Sequence, residues 1–300
     1  MKVLNKVNIG IVGATGMVGR TFLKVMEERN FPVDNLYLFA SEKSKGQKLV
    51  FNDKEYEVEE LNEKSFDKPL DILLFSAGGE ISKKYAPIAK SKGIVVVDNS
   101  SAWRMDENVP LVVPEVNPED IKWNKGIISN PNCSTIQCVV PLKPLHEAFK
   151  IKRIIFSTYQ AVSGSGIGGL MDLENGLKSL EPKKYPHPIA FNCLPHIDEF
   201  TDNGYTKEEI KMIEETKKIL HDDKIKITST TVRVPVRYGH CVSANIEFEK
   251  QFEISEIYNT LKTSKGIIVL DDVKNNIYPM PIEVEGKDEV YVGRIRRSEI

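Results

Sequence analysis

The chain has 300 residues, which is enough to bury a sizeable core and to form two domains. Its formal net charge of −2 gives no electrostatic case for binding to nucleic acid or to a membrane. None of the four cysteines belongs to a C-x-x-C pair, so we predict neither a zinc site nor a disulfide framework. No segment reaches the about 20 apolar residues that span a bilayer, and no secretory signal is recognisable. We therefore expect a cytoplasmic protein with reduced thiols.

The first part of the chain alternates short apolar strands with helical segments. Strands are predicted at 7–12, 36–39, 72–75 and 94–97, and the apolar pair Ile127 and Ile128 closes this part. Their apolar character is continuous rather than alternating, which favours a parallel sheet covered on both faces. The segments between them complete a βαβ rhythm, beginning with an amphipathic helix that ends near residue 29.

The second part reads as α+β. A helix is predicted to begin at 136–140, and Pro141 and Pro144 are expected to kink or end it. Strands are predicted at 153–158, 226–234, 243–248, 267–270 and 290–292, with a charged helix at 206–220 among them. This change of pattern places a domain boundary near residue 130, giving domains at 1–130 and 131–300.

Three glycines follow the first strand directly and open the first helix: Gly13, Gly16 and Gly19. Glycines at such a turn let a phosphate approach the backbone and let the helix pack closely on the sheet. The strand–turn–helix context predicts dinucleotide binding, and a purely structural turn is the alternative.

The segment after the second strand distinguishes between the two nicotinamide cofactors. NAD enzymes usually place a carboxylate there for the ribose hydroxyls. Here the chain has Ser41, Lys43, Ser44 and Lys45, which suit a 2′-phosphate, whereas Glu42 argues against one. We predict NADP over NAD, with a solvated basic loop as the alternative.

Cys133 lies in a polar turn where an apolar segment gives way to a helix. Unpaired N–H groups and the positive end of the helix dipole favour a thiolate there, and the same N–H groups could bind an oxyanion. A small buried residue is the alternative interpretation. Together with a dinucleotide turn, the cysteine indicates aldehyde oxidation through a thioester.

A family resemblance is carried by eight segments of the chain: 13–19, 75–79, 95–100, 112–117, 131–135, 157–164, 200–203 and 291–296. Through them, and over nearly all of its length, the chain resembles the aspartate-semialdehyde dehydrogenases. The resemblance implies an α/β fold like that of glyceraldehyde-3-phosphate dehydrogenase. It would combine an N-terminal Rossmann-like parallel sheet for NADP with a C-terminal α+β domain for catalysis and dimerisation.

The activity implied by the resemblance is the reversible interconversion of L-aspartate 4-semialdehyde, phosphate and NADP+ with L-4-aspartyl phosphate and NADPH. That reaction leads to lysine through diaminopimelate, and to methionine, threonine and isoleucine. The resemblance also implies a homodimer, or a homotetramer, whose partners are a small-molecule substrate and phosphate.

Roles of individual residues follow from the same resemblance. Cys133 matches the nucleophile, His240 the acid/base catalyst and Gln160 a residue that positions the thioester. Substrate binding is assigned to Asn132 beside the nucleophile, Arg233 for the carboxylate, Glu208 for the ammonium, and Lys211 and Arg104 for phosphate. Cofactor-binding positions are expected at Gly13, Thr15, Gly16, Met17, Val18, Ser41, Lys43, Ser44, Ser76, Ala77, Gly78, Ser163 and Gly164.

Taken without the resemblance, several of these residues have simpler explanations. Glu208 and Lys211 would form a solvated helix surface, and Arg104 would be a surface charge in a loop. Cys138, Cys193 and Cys241 are expected to be structural.

The sequence departs from the family pattern in two places. Segment 180–189 is shorter, which we expect to remove a surface excursion and to alter subunit contacts. Family members also continue past 293–296 through a strand into a long helix that borders the cofactor. This sequence stops at Ile300, so we expect weaker NADP binding than in a chain that carries that tail.

Two other functions remain open from the sequence. N-acetyl-glutamyl-phosphate reductase shares the cysteine chemistry and the NADP fold. A truncated, inactive NADP-binding or subunit-interaction protein is the second, although the joint retention of Cys133, Gln160, Arg233 and His240 argues against it.

Overall fold

The computed structural model describes residues 6–298. The expectations about the N-terminal segment and about the chain end at Ile300 therefore fall partly outside the described residues. The chain divides into two compact units. The first consists of Met1–Val112 and Glu119–Pro131, and the second of Val113–Pro118 and Asn132–Ile300.

The first unit is built on a seven-stranded sheet. Its strands are β1 Val7–Val12, β2 Val33–Ala40, β3 Lys48–Phe51, β4 Lys54–Glu60, β5 Ile72–Phe75, β6 Val95–Asp98 and β7 Ile127–Ser129, in the order β3-β4-β2-β1-β5-β6-β7. All neighbouring strands are parallel except β3 and β4, which pair antiparallel at the edge. The predicted parallel sheet is confirmed, and β3 and β4 are additions that the apolar pattern did not reveal.

Two helices cover opposite faces of this sheet, α1 at Met17–Glu28 and α2 at Gly79–Ser91. Leu23 and Met26 of α1 join one apolar cluster, while Tyr85 and Ala89 of α2 join the other. Burial on both faces explains why the central strands are continuously apolar.

The chain reverses its direction of travel across the sheet at β1. From β1 it moves to β2 on one side and later returns to β5 on the other side. The loops that follow β1 and β5 therefore flank a crevice at the carboxyl ends of these strands, which is where ligands bind in open α/β sheets.

The second unit has a three-stranded sheet in the order β10-β8-β9, with β8 at Ile151–Gln160, β9 at Lys226–Arg233 and β10 at Cys241–Phe248. Its helices are α3 Cys133–Phe149, α4 Gly166–Gly176, α5 Lys207–Leu220, α6 Ile254–Lys262 and α7 Pro281–Val284. A parallel pair of short strands, β11 Ile267–Val269 and β12 Val290–Val292, completes the α+β unit.

Helix α3 differs from its prediction because it begins at Cys133 and continues through Pro141 and Pro144 to Phe149. Each proline removes one main-chain donor. Apolar burial of the same helix stretch, including Leu142 and Leu145, compensates for these losses. Of the two expected effects of the prolines, a kink or an end, the end is therefore wrong.

The inner face of the second sheet carries polar residues at the ends of its strands. Gln160 ends β8 and Arg233 ends β9, and the two residues are register partners in the parallel pair. Both are buried, as is the face of α5 that packs toward β9. This register brings the two side chains to one place, which is where the candidate site is found.

Candidate active site

The nucleophile turn is held by the side chain of Asn132, the residue before α3. Asn132 Oδ1 accepts the main-chain N–H groups of Ser134 and Thr135 at 2.9 Å and 3.3 Å. Cys133 follows directly, and its side chain is exposed. No acidic residue lies in the first turn of α3, so the helix dipole favours a thiolate at this position.

The capping by Asn132 narrows one expectation from the sequence, which was that N–H groups at this turn could bind an oxyanion. The N–H groups of Ser134 and Thr135 instead bind Asn132 Oδ1. A developing negative charge on a substrate oxygen therefore needs a donor other than these two.

His240 supplies such a donor next to the sulfur. Its Nε2 lies 3.3 Å from Cys133 Sγ, and its Nδ1 accepts the main-chain N–H of Ala161 at 2.9 Å. Because Nδ1 is occupied as an acceptor, the proton of the neutral ring lies on Nε2. His240 therefore points an N–H group at the thiol of Cys133.

The surroundings of His240 keep the ring uncharged. Burial, reinforced by the guanidinium of Arg233, lowers the pKa of His240 to about 4, although Glu208 opposes this shift. An ordinary histidine pKa near neutrality would suit the acid/base role that the resemblance implies for His240, but this environment does not provide it. At neutral pH the side chain is a neutral donor rather than a cation.

Arg233 is 5% exposed and retains hydrogen-bonding capacity. Its Nη1 donates to the carbonyl of Ala161 at 2.7 Å, whereas its Nε has no partner among residues 6–298. A buried guanidinium with an unused donor is suited to an anionic ligand, since leaving that donor unpaired is costly.

Gly164 leaves the space in which Arg233 and His240 lie side by side. A Cβ atom at position 164 would lie 2.8 Å from Arg233 Nη1 and 3.5 Å from the His240 ring. The sequence assigned Gly164 to cofactor binding, but the structure gives it a packing requirement against two side chains of the second unit.

Glu208 joins the helix α5 to the nucleophile turn and to β8. Its Oε1 accepts Asn132 Nδ2 at 2.9 Å and Gln160 Nε2 at 3.1 Å. The Gln160 amide is fixed from the other side, because Thr158 Oγ1 donates to its Oε1 at 3.0 Å. Glu208 is 6% exposed, so the interpretation of this residue as part of a solvated surface is wrong.

Lys211 lies one turn further along α5. Its Nζ donates to Asp198 Oδ2 at 2.6 Å and to Glu208 Oε2 at 3.4 Å. Burial opposes the charge of Lys211, but these two carboxylates outweigh it and raise the pKa of the lysine. Lys211 is therefore a cation close to the same network.

Arg104 belongs to the first unit. Its Nε and Nη2 donate to the carbonyls of Asn130 and Asn99, each at 3.0 Å. It is 8% exposed, so the alternative of a surface charge is wrong. Nearby Asp98 is fully buried, which raises the pKa of its carboxyl despite the hydrogen bonds from Ser100. The interactions described for Arg104 brace the loop that leads to the nucleophile turn.

The glycine turn of the first unit fits a dinucleotide. Gly13 has φ +84°, and a Cβ there would lie 2.3 Å from the carbonyl oxygen of Ser76. A Cβ on Gly19 would lie 2.3 Å from the carbonyl oxygen of Gly13. No side chain caps α1 or α2, which start after Gly16 and Gly78. Two uncapped helix starts beside the crevice are suited to a pyrophosphate.

The remaining cofactor-binding candidates lie around this turn or in the second unit. Thr15 Oγ1 donates to Ser44 Oγ at 3.3 Å, which links the turn to the segment after β2. Lys43 is exposed in that segment. Met17 and Val18 open α1, Ala77 precedes Gly78, Ser41 precedes the short 3-10 turn Glu42–Ser44, and Ser163 lies in another such turn, Val162–Ser165.

The structure joins the residues assigned to catalysis and substrate binding in the second unit into one network. They are Asn132, Cys133, Gln160, Glu208, Lys211, Arg233 and His240. Three further residues take part that the sequence pattern did not single out: Ala161, Asp198 and Glu215. Glu215 had a readable signal, because its spacing from Glu208 and Lys211 places all three on one face of α5.

Among the described residues, no group of three or more histidine, cysteine or acidic side chains is arranged to hold a metal ion. No helix among them is long and apolar enough to cross a membrane.

Comparison with known proteins agrees with this geometry. Residues 8–124 match the family described as semialdehyde dehydrogenase, NAD binding domain, and residues 142–300 match semialdehyde dehydrogenase, dimerisation domain. The aspartate-semialdehyde dehydrogenase of Aquifex aeolicus is 58% identical over 97% of this chain and 88% of its own length. That of Bacillus subtilis is 45% identical over the same shares.

Two solved structures extend the comparison. Aspartate semialdehyde dehydrogenase II from Vibrio cholerae, complexed with ASA, has a TM-score of 0.94 at 45% identity, covering 99% of this chain and 90% of that one. The Candida albicans enzyme with NADP has a TM-score of 0.79 at 26% identity, covering 99% and 91%. These matches confirm both the α/β fold class and the resemblance read from the sequence. The chain belongs to the aspartate-semialdehyde dehydrogenase family.

Proposed function

We propose that the chain converts L-aspartate 4-semialdehyde and phosphate reversibly into L-4-aspartyl phosphate, with NADP as cofactor and a thioester on Cys133 as intermediate. The observation that carries the proposal is the 3.3 Å contact between Cys133 Sγ and His240 Nε2 at the start of α3. A thiol at a helix start beside an imidazole donor is suited to forming a covalent acyl intermediate. The complex of the Vibrio cholerae relative with ASA supports the same substrate class.

The charges around the thiol complement the proposed substrate. Arg233 would bind the carboxylate through the guanidinium whose Nε lacks a partner among the described residues. Glu208 would bind the ammonium, and Lys211 would attract phosphate. An N-acetylated substrate has no ammonium group, so the buried carboxylate of Glu208 argues against N-acetyl-glutamyl-phosphate reductase.

In the oxidative direction the Cys133 thiolate adds to the aldehyde carbon, and the aldehyde oxygen becomes an alkoxide. The Nε2–H of His240 donates a hydrogen bond to this oxygen. This donor replaces the N–H groups of Ser134 and Thr135, which are bound by Asn132. Bound NADP+ would supply the acceptor for the hydride that leaves this carbon, so that the species on Cys133 becomes a thioester. His240 holds its own proton during these steps, because Nδ1 continues to accept the Ala161 N–H.

Phosphate completes the reaction by attacking the thioester carbon. The carbon–sulfur bond breaks, which gives the acyl phosphate and restores the Cys133 thiolate. Lys211 would bind the phosphate. For Arg104, a phosphate-binding role stays a prediction of the family resemblance and would rest on its positive charge, because it donates to the carbonyls of Asn130 and Asn99.

The proposed activity is tested by mixing the protein with aspartate semialdehyde, phosphate and NADP+ and following NADPH absorbance. We expect NADPH to form, and we expect none above background with a folded Cys133→Ser variant. Turnover that prefers N-acetyl-glutamate semialdehyde would contradict the proposal. The absence of turnover in a folded, unmodified protein would instead favour the inactive alternative, provided that a separate sample shows that iodoacetamide can alkylate Cys133.

The preference for NADP over NAD rests on Lys43, Ser41 and Ser44 after β2. Lys43→Glu should raise KM for NADP+ by about tenfold or more and leave KM for NAD+ within about twofold, since only NADP carries a 2′-phosphate. Lys45→Glu is the comparison variant: Lys45 belongs to the same segment but already pairs with Glu60 at 3.5 Å, so we expect it to raise KM for NADP+ less than Lys43→Glu does. Equal use of both cofactors by the unaltered protein would refute the preference.

We further propose a homodimer and a cytoplasmic enzyme of lysine, methionine, threonine and isoleucine biosynthesis, including the diaminopimelate route. The match to a dimerisation domain supports self-association. The outward face of the three-stranded sheet carries exposed side chains such as Tyr159, which is 48% exposed and lies opposite Cys241. Sedimentation at several protein concentrations would reveal a monomer if the proposal is incorrect.

A further inference from the structure

A buried carboxylate outside the proposed chemistry lies next to the nucleophile turn. Glu215 is 1% exposed on the face of α5 that also carries Glu208 and Lys211. Its Oε2 accepts the main-chain N–H of Asn132 at 2.6 Å. Burial of a carboxylate is costly unless strong hydrogen bonds compensate for it, so this contact requires an explanation.

Glu215 completes a set of interactions that immobilises Asn132. The side chain of Asn132 donates to Glu208 at 2.9 Å and caps the first turn of α3, while its main-chain N–H donates to Glu215. Glu208 and Glu215 lie two turns apart on α5. The residue before the nucleophile is therefore fixed to one rigid helix at two separate points.

We propose that Glu215 is a positioning residue for Cys133, which acts by accepting the Asn132 N–H and thereby holds the first turn of α3 in register with α5. The inference rests on the proposed function, because it assigns Glu215 a part in setting the geometry of the thioester step. A shift of about 1 Å in a reacting group can cost about 100-fold in rate. Glu215 touches neither substrate nor cofactor and influences the reaction only through the turn.

Two conservative variants separate the hydrogen bond from the charge. Glu215→Asp keeps the charge but withdraws the carboxylate from Asn132 by the length of one methylene group. Glu215→Gln removes the charge but keeps an acceptor oxygen at the same reach. We expect kcat to fall at least about tenfold in Glu215→Asp and less than about threefold in Glu215→Gln, with KM for the semialdehyde within about threefold in both.

Glu209 offers a matched control on the same helix. It is buried and accepts two main-chain N–H groups, those of Thr206 and Thr231, away from the nucleophile turn. Glu209→Asp and Glu209→Gln should lower the melting temperature about as much as the matching Glu215 variants do. Their kcat should stay within about threefold of that of the unaltered protein. A purely structural role for Glu215 would give the same kcat pattern as Glu209.

Alkylation of Cys133 by iodoacetamide provides a readout that needs no substrate. The pH at half-maximal alkylation should rise in Glu215→Asp, because a displaced thiolate loses the His240 donor, and should not rise in Glu215→Gln. The proposal is overturned if the two variants rank in the opposite order, if both behave like the unaltered protein, or if both are equally impaired. If the unaltered protein turns over no semialdehyde, the proposed function fails while the alkylation ranking still tests Glu215.

Discussion

The turn before α1 and the turn before α3 both lead into a helix start, but they treat its N–H groups differently. No side chain caps α1, and the surrounding glycines leave its backbone accessible. At α3 the side-chain oxygen of Asn132 accepts hydrogen bonds from two of these N–H groups. The first turn is suited to receiving an anion from solution, whereas the second is suited to holding the protein's own sulfur still.

The comparison also separates two ways of building a site. The glycine turn depends on the absence of a side chain at three positions within residues 13–19, namely Gly13, Gly16 and Gly19. The thiol site depends on side chains brought together from α3, β8, α5, β9 and the segment before β10. Substitutions should therefore impair turnover at the second site and cofactor binding at the first, and the following predictions test that division.

The largest effect is expected at the second site. His240→Ala removes the donor beside Cys133 Sγ and should lower kcat by about 10²–10⁴-fold while the melting temperature changes little. His187→Ala, at an exposed position, is the control and should be silent. Near-normal turnover by His240→Ala would remove this residue from the mechanism.

Gly164→Ala should give the next largest effect. The new Cβ would lie 2.8 Å from Arg233 Nη1, so the guanidinium and the neighbouring imidazole must move. We expect kcat/KM for the semialdehyde to fall by about 10–100-fold. Gly168→Ala is the matched control, because its Cβ would make an ordinary 3.5 Å contact with Lys184. If both alanines reduce kcat/KM equally, the space at position 164 is not what matters.

At the first site, Gly19→Ala should act mainly on the cofactor. Its Cβ would lie 2.3 Å from the Gly13 carbonyl oxygen and 2.7 Å from Ala14 Cα, both of which are backbone atoms. Overpacking of this kind costs about 1–3 kcal/mol. KM for NADP+ should rise about tenfold, whereas iodoacetamide should still alkylate Cys133 at the normal rate. A slowed alkylation rate would show that the two turns are not independent.

The smallest effect is expected from moderate acid. Because the pKa of His240 is lowered to about 4, its ring stays neutral well below the ordinary histidine pKa. We expect the NMR signals of the His240 ring to titrate only as the pH approaches 4, so protonation of this ring should not contribute to any loss of kcat/KM between pH 7.5 and 5.5. Protonation also requires Nδ1 to give up the Ala161 N–H. Titration of the His240 ring near pH 6.5 would contradict this assignment.

The same lowered pKa has a consequence for stability. The unfolded chain binds a proton on this histidine below about pH 6.5, but the folded chain does not do so until about pH 4. The contribution of His240 to the free energy of unfolding is therefore fully present above pH 6.5 and decreases as the pH falls toward 4.

The local elements of the fold could be predicted from the sequence because their signals are local. The glycine turn and the apolar strands each show their requirement within a few residues. Strand β4 was missed because Lys54–Glu60 is rich in charge: the strand lies between β2 and the edge strand β3, and one of its faces is exposed. The extent of α3 was also missed, because burial outweighs the cost of its two prolines.

The chemistry of the site was harder to predict because its partners are distant in the chain. The resemblance assigned roles to Cys133 and His240, but nothing local indicates that residues 107 positions apart touch. The direction of the Nε2 proton depends on the N–H of Ala161, a group that every non-proline residue has. The role of Glu215 likewise emerges only when α5 is placed against the nucleophile turn.

Ala161 contributes to the site only through its main chain, with its N–H on His240 and its carbonyl on Arg233. Every substitution except proline leaves both of these groups in place, so alanine or polar scanning does not register what they do, and proline would also fix the backbone. Replacement of the 160–161 amide by an ester would delete the donor while leaving every side chain intact. The chemical identity of a single peptide link thus belongs to the functional description of this enzyme alongside its side chains.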